Sequence, residues 1–193
     1  MTQTNGRKPD GVDPKAPVKI IKFNVGKTVN KAYPDFTLPT GTIRPHTNIA
    51  ESEATVTRYF DFNRSNGAWQ INSEFYSAYR CDAQVRCGAV EKWVLRNGSG
   101  GWWHPIHIHL ESHQQVADRR TRKPIPYHDK FKSDSCILGP NSQIVIRMKF
   151  RTFLGPFVFH CHNVEHEDMD MMFQFDPRAV ATQSPAPVQR FFP

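Results

Sequence analysis

The stretch His160-Cys161-His162-Asn163-Val164-Glu165-His166, followed by Glu167-Asp168-Met169-Asp170-Met171, decides how this chain is organised. It follows the apolar, β-prone run Phe157-Val158-Phe159 directly. Successive side chains on a strand point to opposite faces. His160 and His162 are therefore expected on one face, with Cys161 on the other. A single strand would then carry parts of two different sites back to back.

The residue types in this stretch indicate a metal site. A thiolate, an imidazole and, five residues later, the thioether of Met171 belong to the ligand set of a blue-copper centre, which has two histidines, one cysteine and a weak axial methionine. The stretch supplies only one of those two histidines, so the other must come from elsewhere. Zinc is the competing metal, since cysteine and histidine also bind it well. The position of Met171 favours copper.

A second histidine cluster lies upstream, in His104-Pro105-Ile106-His107-Ile108-His109. His107 and His109 again share one face of a predicted strand. His104 lies before a proline and can be directed elsewhere. A single histidine is usually an ordinary surface or core residue, but three within six positions, together with the His-Cys-His cluster, indicate a shared metal-binding role.

The chain length and the turn signals predict one all-β domain. The 193 residues include fifteen prolines and eleven glycines that separate short apolar runs, which favours β structure with many turns. Strands are predicted over residues 18–25, 54–62, from 68 to 71, 90–97, 103–110, 142–150 and from 157 into the His-Cys-His stretch. A turn is expected at Asn66-Gly67, a short helical turn over residues 75–80, and a basic loop over residues 117–134. This spacing predicts a Greek-key β-sandwich.

Charge and cysteine content exclude some functions and leave others open. The net charge is +7, but no recognition motif accompanies it, so no nucleic-acid partner is expected. No apolar run has the length of a membrane span.

Cys81 and Cys87 would suit a small disulfide loop in an oxidising compartment, and two free thiols are the alternative. Cys136 is expected to be a buried free thiol.

The two histidine clusters, with Met171, resemble the two C-terminal copper motifs of multicopper oxidases, a family that includes laccases, bilirubin oxidases and bacterial spore-coat laccases. The flanking segments 69–72 and 90–93 also fit. The resemblance covers about residues 18–177 and implies a cupredoxin-like fold. By composition, the polar and proline-bearing residues 1–17 are expected to be a linker or mobile tail, and the Pro/Ala/Gln-rich residues 178–193 a C-terminal tail. It implies a copper-dependent oxidoreductase in an extracellular or periplasmic location.

The resemblance also implies a role for each site residue. His104, Cys161 and His166 would bind a type 1 copper with Met171 as axial ligand, His107 a type 2 copper, and His109, His160 and His162 a type 3 pair; Glu167 matches an acid that relays protons. The reductant is expected to be a phenol or an aromatic amine, because five methionines give no methionine-rich segment. Dioxygen would be reduced to water.

The ligand set implied by the resemblance is incomplete in this sequence. The trinuclear centre of the family takes eight histidines, and this chain supplies four of them, His107, His109, His160 and His162. The others come from two His-X-His motifs of an N-terminal cupredoxin domain, and a homo-oligomer would lack the same motifs. We therefore expect this chain to be the C-terminal part of a longer oxidase, cut or encoded separately, whose centre is completed by a second chain that carries this domain. The alternative is a stand-alone type 1 blue-copper electron-transfer protein.

Overall fold

Two β-sheets packed face to face form the body of the protein. The computed structural model describes residues 21–27, 37, 39–41, 47–118, 132–179 and 189–190. The first sheet has the strand order β2-β1-β5-β9-β7, with β1 Ala54–Ser65, β2 Ala68–Ile71, β5 Val90–Asn97, β7 Gln114–Asp118 and β9 Gln143–Lys149. The second has the order β4-β11-β10-β6-β8, with β4 Ala83–Arg86, β6 His104–Ile108, β8 Ser135–Leu138, β10 Phe157–Cys161 and β11 Met172–Arg178. The predicted all-β sandwich is confirmed.

The remaining elements are short. A 3-10 helix, Glu51–Glu53, precedes β1, and a single helical turn, α1 (Val164–Glu167), follows β10. β3 (Arg80–Cys81) pairs with β12 (Gln189–Arg190) in a two-stranded sheet. Most strand pairs are antiparallel, but β1 runs parallel to β5 and β11 runs parallel to β4. Among the described residues, no helix has the length and apolar character that a membrane crossing requires.

The predicted hairpin joins β1 to β2. Asn66 and Gly67 both have positive φ, 51° and 82°, as the two central residues of a type I′ turn require. This turn fixes the register, so that Arg64 lies opposite Trp69. The hairpin thereby brings the β2 side chains to the end of the sandwich where β6 and β10 carry their histidines.

An aromatic core holds the two sheets together. Phe60 of β1 and Trp93 of β5 have ring centroids 4.8 Å apart, and Phe159 of β10 lies 4.7 Å from Phe60 and 5.1 Å from Trp93. These buried rings come from both sheets, and aromatic pairs at such distances stabilise a core by about 0.5–1.5 kcal/mol beyond their buried area. The core fixes β10, and therefore Cys161, relative to the first sheet.

Two local predictions were wrong. Residues 21–25 of the expected first strand are not in a strand, and Ile21, Phe23 and Val25 are 72%, 84% and 94% exposed. High β propensity is not sufficient where a segment has no partner to pack against. Residues 18–20 lie outside the described part. The expected helical turn over residues 75–80 is irregular chain with a turn at 78–79, closed by a hydrogen bond from the Arg80 N–H to the Ser77 carbonyl.

Other differences concern the loop, the tail and the cysteines. Residues 117–118 belong to β7, while residues 119–131 of the predicted basic loop lie outside the described part, as do residues 1–17. Within the C-terminal segment, residues 189–190 form β12. Cys81 and Cys87 are free, so the predicted disulfide loop is wrong and the alternative of two free thiols is the one observed. Cys81 is buried on β3, whereas the Cys87 thiol lies 3.6 Å from the Arg151 carbonyl oxygen. Cys136 is buried and free, as predicted.

Candidate metal centres

Two adjacent strands of the second sheet direct the histidines to opposite faces. β6 and β10 are antiparallel neighbours, with His160 opposite His107 and Cys161 opposite Ile106. Directly opposed residues have their side chains on the same face. His160 and His107 therefore share the outer face, while Cys161 lies on the inner face with the buried residues His104 and Ile106. The predicted back-to-back arrangement is present.

The closed group consists of His104, Cys161 and His166, all with 0% exposure. The Cys161 Sγ lies 3.5 Å from His104 Nδ1 and 3.4 Å from His166 Nδ1, and the two Nδ1 atoms are 3.1 Å apart. The centre of a triangle with such sides is about 2 Å from each corner, which is a metal–ligand bond length. One soft sulfur donor and two imidazole nitrogens are therefore placed around a single point at which a metal ion would fit.

A chain of hydrogen bonds determines which nitrogen of His104 is available. The Asn97 amide donates to the carbonyl oxygens of Trp102 and Gly139, at 2.7 and 2.9 Å, so its oxygen is the acceptor. The Ser99 hydroxyl donates to that oxygen at 2.6 Å and lies 2.7 Å from His104 Nε2. Because its one proton is used, the hydroxyl accepts from His104 Nε2–H. The lone pair of Nδ1 then faces the closed group, as a metal ligand requires.

His166 is held by α1 and by aromatic neighbours. Its backbone N–H donates to the Asn163 carbonyl oxygen at 2.9 Å, and the Asn163 side-chain amide lies 3.1 Å from His166 Nε2. Trp69 of β2 stacks on the imidazole with a centroid distance of 3.7 Å and an interplanar angle of 30°. Trp102 meets the same imidazole edge-on at 5.5 Å. The plane and the position of this ring are therefore fixed from two sides.

Met171 is fully buried next to the closed group. The Cys161 N–H donates to the Met171 carbonyl oxygen at 3.1 Å, and the Met171 N–H donates to the His166 carbonyl oxygen at 3.0 Å. The backbone of Met171 is thus tied to two members of the group. Its thioether is the residue type expected of a weak axial ligand.

Burial sets the protonation of the metal-free closed group. It lowers the pKa of His104 to about 3 and that of His166 to about 4, with smaller contributions from the neighbouring His166 and Arg64 charges, respectively. It also raises the pKa of the Cys161 thiol to about 12. At neutral pH both imidazoles are therefore neutral and ready to bind a cation, while the thiol must lose its proton to become a ligand.

The open group consists of His107, His109, His160 and His162 on the outer face of the second sheet. The Nε2 atoms of His109 and His160 are 3.2 Å apart, and the ring centroids of His107 and His109 are 4.8 Å apart. Ligand atoms of these three histidines lie within 4.8 Å of one another. The His162 ring is 5.3 Å from His160 and 5.8 Å from His107. All four predicted histidines therefore converge, but His162 is exposed.

Polar groups surround the open group. His107 Nδ1 lies 3.2 Å from both the Asp134 carbonyl oxygen and the Ser135 hydroxyl. The Glu167 carboxylate lies 3.4 Å from His160 Nδ1. Burial lowers the pKa of His160 and of His109, while the Glu167 charge opposes this in both histidines. A carboxylate beside a histidine cluster can hold or pass a proton at the edge of that cluster.

Several contributors were not identified from the sequence. Ser99, Asn97 and Trp69 support the closed group, and Ser135 supports the open one. Two of these positions carried a signal in the sequence: Trp69 lies in the flanking segment 69–72 that fits the family resemblance, and Ser99 lies in a polar turn just before the first histidine. Among the spare histidines, His113 is buried and belongs to neither group, although the His107 charge acts on it, while His46 and His128 lie outside the described part.

Comparisons with known proteins agree on one family. The family profile described as "Multicopper oxidase" matches residues 48–180. Bilirubin oxidase of Albifimbria verrucaria is 38% identical over 124 residues, which is 62% of this chain and 22% of that protein. A laccase of Haloferax volcanii is 33% identical over 131 residues, which is 65% of this chain and 22% of that protein. The chain thus spans about a fifth of the length of these two relatives.

Solved structures share the fold. A laccase from Pediococcus acidilactici superposes with a TM-score of 0.65 at 22% identity, covering 75% of this chain and 31% of that one. A multicopper oxidase from Campylobacter jejuni gives a TM-score of 0.61 at 24% identity, covering 75% and 34%. At these identities the similarity supports the cupredoxin-like sandwich and nothing finer.

Proposed function

Because this chain belongs to the multicopper oxidase family, we propose that it is the C-terminal copper-binding part of a laccase-like oxidase. In this proposal the closed group takes up single electrons from a phenol or an aromatic amine. The open group belongs to a trinuclear copper centre at which dioxygen is reduced to water. The observation that carries the proposal is the convergence of two histidine groups on opposite faces of one strand.

The closed group fits a type 1 copper. Its donors are two imidazole nitrogens and one thiol sulfur at mutual distances of 3.1–3.5 Å. The backbone of the buried Met171 is hydrogen-bonded to the backbones of Cys161 and His166. Copper bound there supplies reversible one-electron chemistry. The protein contributes a fixed histidine tautomer, a dry surrounding and a soft donor set, which together favour Cu(I) over Cu(II).

The backbone of β10 connects the two groups. Cys161 belongs to the closed group, and its chain neighbours His160 and His162 belong to the open group. Adjacent Cα atoms are about 3.8 Å apart, so the connection is short and covalent. We assign His107 to the type 2 copper and His109, His160 and His162 to the type 3 pair. Glu167, beside His160, is assigned to proton delivery.

The open group supports a partner. Its four histidines are half of the ligands that a trinuclear centre takes, and His162 is exposed beside them. A second chain with two His-X-His motifs would complete the centre and cover this face. The matched region is about a fifth of each of the two relatives, so most of such a protein lies outside the part that this chain supplies. An extracellular or periplasmic location follows as part of the same proposal.

Copper counting tests this function. The purified chain alone should bind one copper tightly with an intense blue band and should consume no dioxygen. Its complex with a chain carrying the His-X-His motifs should bind four coppers and consume dioxygen without releasing peroxide. His162→Ala, at an exposed position, should abolish dioxygen consumption by the complex and leave the blue band intact. Reduction of dioxygen to water by the chain alone would contradict the partner proposal.

The second candidate is a stand-alone blue-copper electron carrier. It is favoured by the completeness of the closed group, whose three donors and Met171 all come from this chain. In this case the open group would bind no copper. His107→Ala and His162→Ala would then leave the reduction potential and the electron-transfer rate of the blue copper unchanged. Material that purifies from cells as this chain alone, with one copper, a blue band and no co-purifying chain that carries His-X-His motifs, would favour the carrier.

A further inference from the structure

A stack of three layers covers one side of the closed group. The innermost layer is the His166 imidazole, and the second is the Trp69 indole, only 3% exposed and 3.7 Å away. Trp102 packs edge-on against Trp69 at 4.7 Å and an angle of 76°. The two indoles therefore separate His166 from solvent on this side.

The outermost layer is a positive charge. The guanidinium carbon of Arg64 lies 5.0 Å from the Trp69 ring centroid and 5.7 Å from that of Trp102. Both distances are within the range of a cation–π interaction. Arg64 is exposed, but the β1–β2 hairpin places it directly opposite Trp69 in the strand register. The strand register therefore fixes the position of the Arg64 side chain next to the Trp69 indole.

We infer that Arg64 and Trp69 are positioning residues that tune the closed group, with Trp69 fixing the His166 ring and Arg64 raising the reduction potential of copper bound there. This inference rests on the proposed type 1 centre. Cu(II) carries one more positive charge than Cu(I), so a nearby fixed cation destabilises the oxidised form more than the reduced form. The buried Trp69 and His166 rings exclude water from the path between the charge and the copper site, which strengthens the interaction, while the exposed guanidinium itself stays accessible to salt ions.

The charge is tested in the copper-loaded full chain by potentiometric titration of the blue band. Arg64→Gln removes the charge from an exposed side chain and should not affect folding. We expect the equilibrium ratio of Cu(II) to Cu(I) at fixed potential to rise by up to about tenfold, which is 59 mV for a one-electron couple. Arg64→Lys should retain part of the effect. At about 1 M salt, where the Debye length is about 3 Å, the wild type and Arg64→Gln should approach each other.

Arg96→Gln is the matched control. Arg96 is also an exposed arginine on the first sheet, and it lies 3.9 Å from Asp61 rather than over the indoles. Its substitution should leave the potential unchanged. An unchanged potential in Arg64→Gln at low salt, or an equal shift in Arg96→Gln, would overturn the role of Arg64.

The ring is tested by two substitutions of Trp69. Trp69→Phe keeps a stacked aromatic ring and should preserve the blue band and its electron paramagnetic resonance parameters. Trp69→Leu removes the stack and should shift both, because the His166 plane is then free to turn. Unchanged spectra in a folded Trp69→Leu would overturn the role of Trp69. If that variant does not fold, a shifted spectrum in Trp69→Phe would count against the stack and a preserved one would support it.

The same measurements separate this inference from the proposed function. If the wild-type chain gives no blue band with copper, the type 1 assignment fails, and the inference fails with it. If the band is normal but neither Arg64→Gln nor the Trp69 variants alter it or the potential, the inference alone is overturned.

Discussion

The closed and open groups lie on opposite faces of the same strand but differ in how completely this chain surrounds them. In the closed group His104, Cys161 and His166 are fully buried, and Ser99 and Trp69 hold the rings in place. In the open group only His160 is buried, and His162 is exposed. This chain encloses the closed group on all sides, whereas the histidines of the open group remain partly accessible from outside.

This difference has a physical cause. Inward-facing residues of β6 and β10 meet the first sheet, which supplies aromatic cover and polar partners. Outward-facing residues of the same strands meet no second layer in the described part of the chain. A preorganised, desolvated donor set binds its metal without further ordering, whereas exposed donors remain hydrated until a partner covers them. The following predictions examine this contrast.

Cys161→Ser should have the largest effect and should distinguish the two groups completely. Without the thiolate the closed group loses its soft donor, so the blue band should disappear and tightly held copper should fall from one per chain to none. The measurement is copper content and visible absorption after dialysis. His162→Ala is the matched variant at the open group, and it should keep both. Loss of the blue band in His162→Ala would show that the two groups are not independent.

Copper affinity at the closed group should rise with pH. The imidazoles of His104 and His166, with pKa values of about 3 and 4, are already neutral at pH 5. The Cys161 thiol, with a pKa of about 12, is still protonated at pH 8. Each copper bound between these limits therefore releases one proton, and the affinity should increase about tenfold per pH unit.

Competition with a chelator at several pH values, together with an indicator dye for released protons, measures this dependence. Cys161→Ser serves as the control and should release no thiol proton. At the open group, burial lowers the pKa of His109 and His160 below the ordinary value of 6.5. These two histidines should therefore contribute no pH dependence above that value. A copper affinity of the closed group that does not change with pH would contradict the prediction that Cys161 is protonated before copper binds.

Ser99→Ala should weaken copper binding at the closed group by about tenfold, the lower end of the range for residues that orient a ligand. The substitution removes the acceptor of His104 Nε2–H and allows the other tautomer, whose Nδ1 cannot bind metal. Ser135→Ala is the control, because Ser135 lies 3.2 Å from His107 Nδ1 in an exposed position. It should change closed-group affinity less than about twofold. Equal effects of the two substitutions would contradict the tautomer argument.

The two metal groups could be predicted from sequence because alternation along a strand is a local property. The spacing of His107, His109, His160 and His162, with Cys161 between the last two, already specifies two faces. The structure brings His107, His109 and His160 together on one face, with the His162 ring 5.3 Å from that of His160. Cys161 belongs to the group on the other face. The fold class followed from turn signals between short apolar runs.

The supporting residues could not be predicted in the same way. Trp69 reaches His166 only because β2 and α1 meet across the sandwich, and no local pattern encodes that contact. β11 was not predicted, and its Pro177 would argue against a strand because proline cannot donate to the ladder. Pro177 lies near the end of β11, where it pairs with Val85 of β4. The segment 21–25 shows the opposite error, a β-prone sequence without a neighbouring strand in the described part.

His113 tests whether burial alone makes a histidine a ligand. It is 1% exposed, and neither ring nitrogen has a hydrogen-bond partner within the described residues. Burial lowers its pKa to about 4, with the Asp134 charge opposing the shift. Unlike the members of the closed group, it belongs to no set of three or more convergent donor atoms in the described chain. It is therefore expected to cost stability without binding copper.

His113→Phe should raise the free energy of unfolding at pH 7 by about 1–2 kcal/mol, because an unsatisfied buried polar group costs about 1–3 kcal/mol. Between pH 6.5 and about 4 the unfolded histidine binds a proton that the folded one does not, so this residue makes stability fall as the pH falls. The free energy of unfolding of the Phe variant should therefore fall less steeply with decreasing pH, by about 1.4 kcal/mol per pH unit at most. Urea unfolding at pH 7 and pH 5 measures both effects, with His113→Ala as the control that leaves a cavity. A less stable Phe variant, or one with reduced copper binding, would show that His113 has partners or ligands beyond those of the described structure.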